Sequence, residues 1–202
     1  MRLRLAFFVL LMGFAAITFG QNFKGGIFGG LNASRIQNDG FSGFQKLSLN
    51  GGVFVQREFA PDLGWKMELK YSARGMSHYP TQSRLYIQLS HLVYLELPLS
   101  ITYLYNEKVE LELGFAPDVL LSEYYEDENG PLDPSYSSDL HRFGLNGFAG
   151  ISYYIFDRVA VVFRYTMSAI PFSSFDYWTP TYFTSGLFHN VISIGLKYYI
   201  LK

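Results

Sequence analysis

The 202-residue sequence contains no cysteine. That excludes a disulfide framework and a lipobox cysteine for an acyl anchor. Charge is also scarce: charged residues make up 16%, against roughly 25% in an average soluble domain. The formal net charge of -1 provides no broad field for attracting nucleic acid or an anionic surface. After residue 20 no apolar run approaches the ~18 residues that a membrane-spanning helix needs. Convincing helical periodicity is missing as well. Aromatic residues, by contrast, reach 18%, with 16 Tyr and 19 Phe, and glycine is plentiful at 19. This balance does not describe an ordinary cytosolic enzyme. It leaves open a membrane protein that crosses with strands, whose apolar residues are hidden in alternation.

What is present begins with a targeting pattern. Arg2 and Arg4 form a positive start, Leu5 to Phe19 an apolar run, and Thr18-Phe19-Gly20 places small residues before Gln21. Such a stretch predicts a cleaved secretory signal peptide over 1–20, with a β-barrel domain over 21–202. The competing reading is an N-terminal membrane anchor, for which the run is marginally short.

The rest of the chain alternates in hydrophobicity with period 2, in eight segments: 23–34, 46–59, 65–74, 85–103, 109–116, 142–154, 159–168 and 190–200. The third is the cleanest. Trp65, Met67, Leu69, Tyr71 and Ala73 alternate with Lys66, Glu68, Lys70, Ser72 and Arg74. An even number of half-apolar strands suits an antiparallel up-and-down transmembrane β-barrel. Short turns at 60–62, 106–107 and 156–157 alternate with long connections at 35–45, 75–84, 123–141 and 170–186. Outer-membrane barrels keep short turns on the periplasmic side and long loops outside.

Two architectures compete for the apolar parity: a soluble barrel that hides it around a ligand, and a membrane barrel that turns it toward lipid. Aromatic residues on that parity cluster near segment ends, as interfacial girdles do, which favours the membrane form. The polar parity then points inward. It carries Lys66, Glu68, Lys70, Arg74, Glu96, Glu110, Glu112, Arg164 and Lys197. An eight-stranded interior is just wide enough for side chains to fill it, and buried charges require partners. The nine are therefore expected to pair and to leave no wide pore.

Within the fourth segment, Tyr94 to Tyr103 reads YLELPLSITY, and after a short turn Glu112 to Ser122 reads ELGFAPDVLLS. These stretches resemble the Bacteroidota outer-membrane β-barrel family of the PorT type. Its members show Tyr-x-Glu-Ile-Pro-Leu in one strand and Gly, a small or aromatic residue and Pro in the next. The opening FKGGIFGGLNAS and closing NVISIGLKYYI are similar too, so the resemblance covers 21–202. It marks Tyr94, Glu96 and Pro98 as motif residues. It implies the bacterial outer membrane as location and type IX protein secretion as a linked process. A proline has no N–H for the ladder, so Pro98 predicts a bulge or kink.

Chemistry in the loops is thin. Ser77 and His78 are the candidates for an outer-membrane hydrolase, without a carboxylate to complete the set. His91 lies on the outward parity and marks the outer boundary of the membrane. Glu123, Glu126, Asp127, Glu128, Asp133 and Asp139 make an acidic connection that lacks EF-hand spacing. Its readings are a solvated loop or divalent bridging to lipopolysaccharide. Phe172, Phe175, Tyr177, Trp178, Tyr182 and Phe183 crowd the last long connection. They read either as a partner surface or as rings folded over the mouth.

The expectation is a non-enzymatic envelope protein with no cofactor and no metal centre. Its partners would be outer-membrane lipid, lipopolysaccharide and envelope or secretion proteins, and not nucleic acid. A narrow channel is the alternative, and an outer-membrane enzyme the third.

Overall fold

The computed structural model describes residues 23–37, 43–78, 88–127, 130–131, 140–173 and 186–201. Every regular element among them is a strand: β1 (Phe23–Gln37), β2 (Lys46–Glu58), β3 (Leu63–His78), β4 (Gln88–Glu96), β5 (Leu99–Tyr105), β6 (Val109–Asp127), β7 (Gly130–Pro131), β8 (Phe143–Phe156), β9 (Val159–Ser168) and β10 (Phe188–Leu201). Residues 1–20, where the signal peptide is expected, lie outside the described residues.

All pairings are antiparallel, and they close on themselves. β1 pairs with β2 on one side and with β10 on the other. β2 then leads through β3, β4 and β5, β6, β8 and β9 back to β10. β4 and β5 are two pieces of one wall strand, and β7 is a short return against the end of β6. The result is an eight-stranded ring with no free edge along its main wall. Short turns gather at one end. In the three-residue β5–β6 connection Asn106 and Glu107 both have positive φ, as the central positions of a type I′ turn require. The strand ends that lead into the four long connections lie at the other, the loop end.

Alternation sorts the side chains. Ile27, Leu31, Val53, Leu69, Leu95, Ile101, Leu113, Phe163 and Leu196 are exposed on the outer wall. Phe59, Tyr103, Tyr105, Tyr153 and Phe156 ring the turn end. Inside, most of the buried side chains are polar or charged.

Three local expectations need correction. First, Pro98 causes no bulge. Glu96 pairs with Lys70 and Leu99 with Met67, so the register passes through unchanged. The Pro98 carbonyl accepts from Glu68 N–H, and Leu97 N–H donates to the Pro117 carbonyl, both at 2.9 Å. Each proline removes only its own donor, so the ladder thins without slipping. The register shift falls between Val93 and Tyr94, where β6 inserts Leu121.

Second, Glu123 to Asp127 belong to β6 and not to a loop. They pair with the first half of β4, from Gln88↔Asp127 to Leu92↔Glu123. Backbone pairing carries this stretch past the start of β8. Third, Ala73 does not face lipid, although its parity is outward; it is only 2% exposed. The β2–β3 ladder ends at Asn50↔Ser72, and β3 continues beneath the β1–β2 hairpin, in contact with the non-adjacent β1. Side chains replace the lost ladder. Ser48 and Asn32 donate to the Ala73 carbonyl at 2.7 and 3.0 Å. Ser34 Oγ bonds both the carbonyl and the N–H of Gly75, at 2.9 and 3.1 Å.

Candidate functional site

The interior is the chemically dense region, and strand alternation builds it. All nine charged residues read as inward-facing are buried. With Asp118 added, they form two neutral groups. Toward the turn end, Lys66, Arg164 and Lys197 meet Glu68, Glu110 and Glu112. The Arg164 guanidinium grips the Glu68 carboxylate through both terminal nitrogens, at 2.8 and 2.7 Å, while its Nε donates to Glu112 at 2.6 Å. Lys66 bonds Glu112 and lies 3.1 Å from Glu110, which Lys197 also reaches at 3.2 Å. These ties cross the lumen, joining β3 to β9 and β10 to β6, strands that share no ladder.

The second group lies nearer the loop end. Lys70 is 3.4 Å from Glu96, Arg74 pairs with Glu96, and Arg74 is 3.4 Å from Asp118. Asp118 escapes the sequence pattern because the fifth alternating segment stops at Ala116. Continuing the same parity from Glu110 through Ala116 reaches it. Asn146 donates to Asp118 at 2.6 Å. Between the two groups lies a small cavity of ≈ 30 Å³ lined by Asn50, Glu68, Lys70, Arg164, Ser193 and Lys197.

Glycines on β8 make room for the carboxylates. A Cβ on Gly150 would lie 2.5 Å from Glu112 Oε1, and one on Gly144 would lie 2.2 Å from Asp118 Oδ1. At the turn end Tyr154 and Tyr199 share a 2.6 Å hydrogen bond. Gln56 links Tyr199 to Glu110 at 3.2 and 2.8 Å.

At the loop end the interior turns apolar. Ile36, Leu92, Tyr94 and Phe172 form a buried cluster, with Met76, Leu120, Tyr125, Leu140 and Leu187 packed against it. Phe172 comes from the long connection after β9 and stacks on His189 at 3.9 Å, interplanar 16°. His189 Nε2 lies 3.2 Å from the Tyr94 hydroxyl, and Arg74 sits 4.7 Å from the centre of the Tyr94 ring. Backbone bonds Phe172 N–H to Leu187 O (2.9 Å) and His141 N–H to Phe172 O (2.7 Å) hold the segment in place. Tyr125, on the part of β6 that projects past β8, has its hydroxyl pushed up to about 12 by burial and by nearby Glu123.

The motif residues share one face. Tyr94, Glu96 and Pro98 all point inward, where Tyr94 joins the seal and Glu96 the ion group. Ser77 is buried, and the side chain of His78 is outside the described residues. His91 is only partly covered, on the outer wall. Phe175, Tyr177, Trp178, Tyr182 and Phe183, and likewise Glu128, Asp133 and Asp139, lie outside the described residues. Among the described residues no cluster of His, Asp or Glu could hold a metal ion.

A closed ring of eight antiparallel strands, apolar outside and filled with paired charges inside, defines a small membrane-spanning β-barrel. The chain belongs to the outer membrane protein beta-barrel domain family, whose pattern matches residues 19–173. It is accordingly an outer-membrane barrel protein of the cell envelope. Among solved structures it is similar to Neisserial surface protein A (NspA), at 12% identity over 88% of this chain and 96% of that one, with a TM-score of 0.55. It is also similar to Ail, the attachment invasion locus protein of Yersinia pestis, at 14% identity over 88% and 98%, with a TM-score of 0.52. At these identities the likeness is one of fold. No curated protein matches the sequence.

Proposed function

We propose that the protein is a closed, non-conducting barrel with a structural or accessory role in the envelope, engaging other components through its loop end. One observation carries this reading: two neutral ion groups fill the lumen, and the Leu92–Phe172 cluster lies above them. Moving a solute through would require separating charges that already satisfy one another, at several kcal/mol per ion. The long loops face outward and the short turns face the periplasm, as in barrels of this kind.

The Tyr94–Glu96–Pro98 motif supports a place among PorT-type proteins of Bacteroidota, and through that resemblance a link to type IX secretion. Planar-bilayer recording of the refolded chain tests the closed state. No steady unitary current is expected, and reproducible single-channel steps would overturn it. Loss of cargo export in a deletion strain, restored by the intact gene, tests the secretion link; unchanged export removes it.

A further inference from the structure

One imidazole is built into the apolar seal at the loop end. His189 is the second residue of β10 and is only 1% exposed. Its ring stacks on Phe172, and its Nε2 lies 3.2 Å from the Tyr94 hydroxyl. Its Nδ1 is buried with no hydrogen-bond partner among the described residues. A neutral ring suits this place in either tautomer, because a tyrosine hydroxyl both donates and accepts. An imidazolium does not suit it. Both ring nitrogens then carry a proton, and Nδ1–H becomes a buried donor of a charged group with nothing to receive it.

The elements packed around His189 do not offset such a charge. On β1 the residue across the ladder is Ile36, and β9 presents Ser168, whose Oγ accepts the His189 backbone N–H at 3.1 Å. From β3 and β4, Arg74 and Glu96 are the ions close enough to act on the ring. Arg74 repels a second cation, and Glu96 is already held by Arg74 and Lys70. From β6 come Tyr125, packed against the seal, and Asp118, which Arg74 and Asn146 hold. A second histidine, His141, touches the same segment, with its Nδ1 3.1 Å from the Pro171 carbonyl. That ring is exposed, so water can meet its charge, and a protonated Nδ1 suits the carbonyl it faces.

We propose that His189 is an acid-sensitive latch: neutral, it closes the mouth against Phe172; protonated, it releases that segment and opens the seal. The proton is taken up when the ring reaches water, so acid favours the open form. Closure is then at full strength above the ordinary histidine value of about 6.5 and weakens by up to about tenfold per pH unit below it. Two backbone bonds fasten the segment to the start of β10, Phe172 N–H to Leu187 O at 2.9 Å and Leu187 N–H to Ser173 O at 3.0 Å. They are few enough to part locally. The ion groups lie deeper and keep the lumen filled, so release alters the loop-end surface through which the protein engages other components. The proposal rests on the closed-barrel reading and adds a condition under which its mouth changes.

The test is amide exchange on the full chain refolded in detergent, at about pH 7.5 and about pH 4.5, with rates corrected for the intrinsic effect of pH. Protection at Phe172 and Leu187 should fall on the order of tenfold to 100-fold in acid, while Glu68 and Glu112 stay protected. His189→Phe keeps a ring against Phe172 and removes the proton site, so its protection should not respond to pH. His141→Gln should respond as the intact chain does. Heat-modifiable gel mobility shows which variants have folded. Unchanged protection at Phe172 in the intact chain overturns the proposal, and this arm needs no variant to fold. A folded His189→Phe chain that keeps the full response overturns it too, as does a folded His141→Gln chain that loses it. Equal acceleration at Glu68 and Glu112 would mean that acid loosens the whole barrel, which also refutes the latch. Steady current at neutral pH would instead remove the closed-barrel reading on which the latch rests.

Discussion

The two ends of the lumen are built from different chemistry. Around Arg164 the long side chains are ions, each held by opposite charge across the barrel. Around Leu92 and Phe172 they are hydrocarbon and ring, with one histidine and the hydroxyls of Tyr94 and Tyr125 among them. Ion pairs are directional and fix the spacing of strands that share no ladder. Apolar packing is tolerant of shape and excludes water. Rigidity of the wall and closure of the mouth are therefore separate properties, located in separate residues.

That separation predicts unequal responses to mutation. The largest effect is expected for Arg164→Met, which removes the Glu68 bidentate pair and leaves Lys66 as the one cation shared by Glu68 and Glu112. Urea unfolding in lipid vesicles should show a loss of about 3–5 kcal/mol; a change below ~1 kcal/mol would mean the ion group does not brace the wall. Gly150→Ala pushes a methyl group into the Glu112 side chain and should cost about 1–3 kcal/mol in the same assay. Phe172→Ala addresses the other end. Amide exchange at Phe172 and Leu187 should accelerate on the order of tenfold while exchange at Glu68 and Glu112 stays slow. Equal acceleration at both ends would show the two regions to be one unit. The smallest effect belongs to Pro98→Ala, which restores a donor opposite the Glu68 carbonyl. A gain of about 0.5–1 kcal/mol is expected, and a loss would mean that the ring of Pro98 packs in the interior more than its missing bond costs.

Much of this architecture was legible in the sequence because a half-apolar strand writes its two faces in alternation. The eight segments, the inward parity and the two classes of connection all follow from that rule. Alternation is silent on how far a ladder runs once it leaves the membrane. Hence Glu123 to Asp127 read as a loop, although β4 gives them a backbone partner. It is equally silent on non-neighbouring strands. The covering of Ala73 depends on β3 slipping beneath the β1–β2 hairpin, and serines and asparagines that serve as substitute ladder partners look like ordinary polar-parity residues. The apolar seal was hidden for a similar reason. Ile36 and Leu92 sit on the inward parity near strand ends, and only the closed ring brings them to Phe172.

Ring closure has a consequence for assembly. The ladder that completes the barrel joins Gly25–Gln37 to Phe188–Leu201, the two segments farthest apart in the chain. Until β10 arrives, β1 and β9 each present a bare edge. A partly folded chain is thus a sheet with two adhesive margins. The contact that ends this exposure is the one with the greatest loop-closure cost, so it is expected to form last. Commitment to the membrane is decided by the final strand, and everything before it must be kept from pairing with the wrong neighbour.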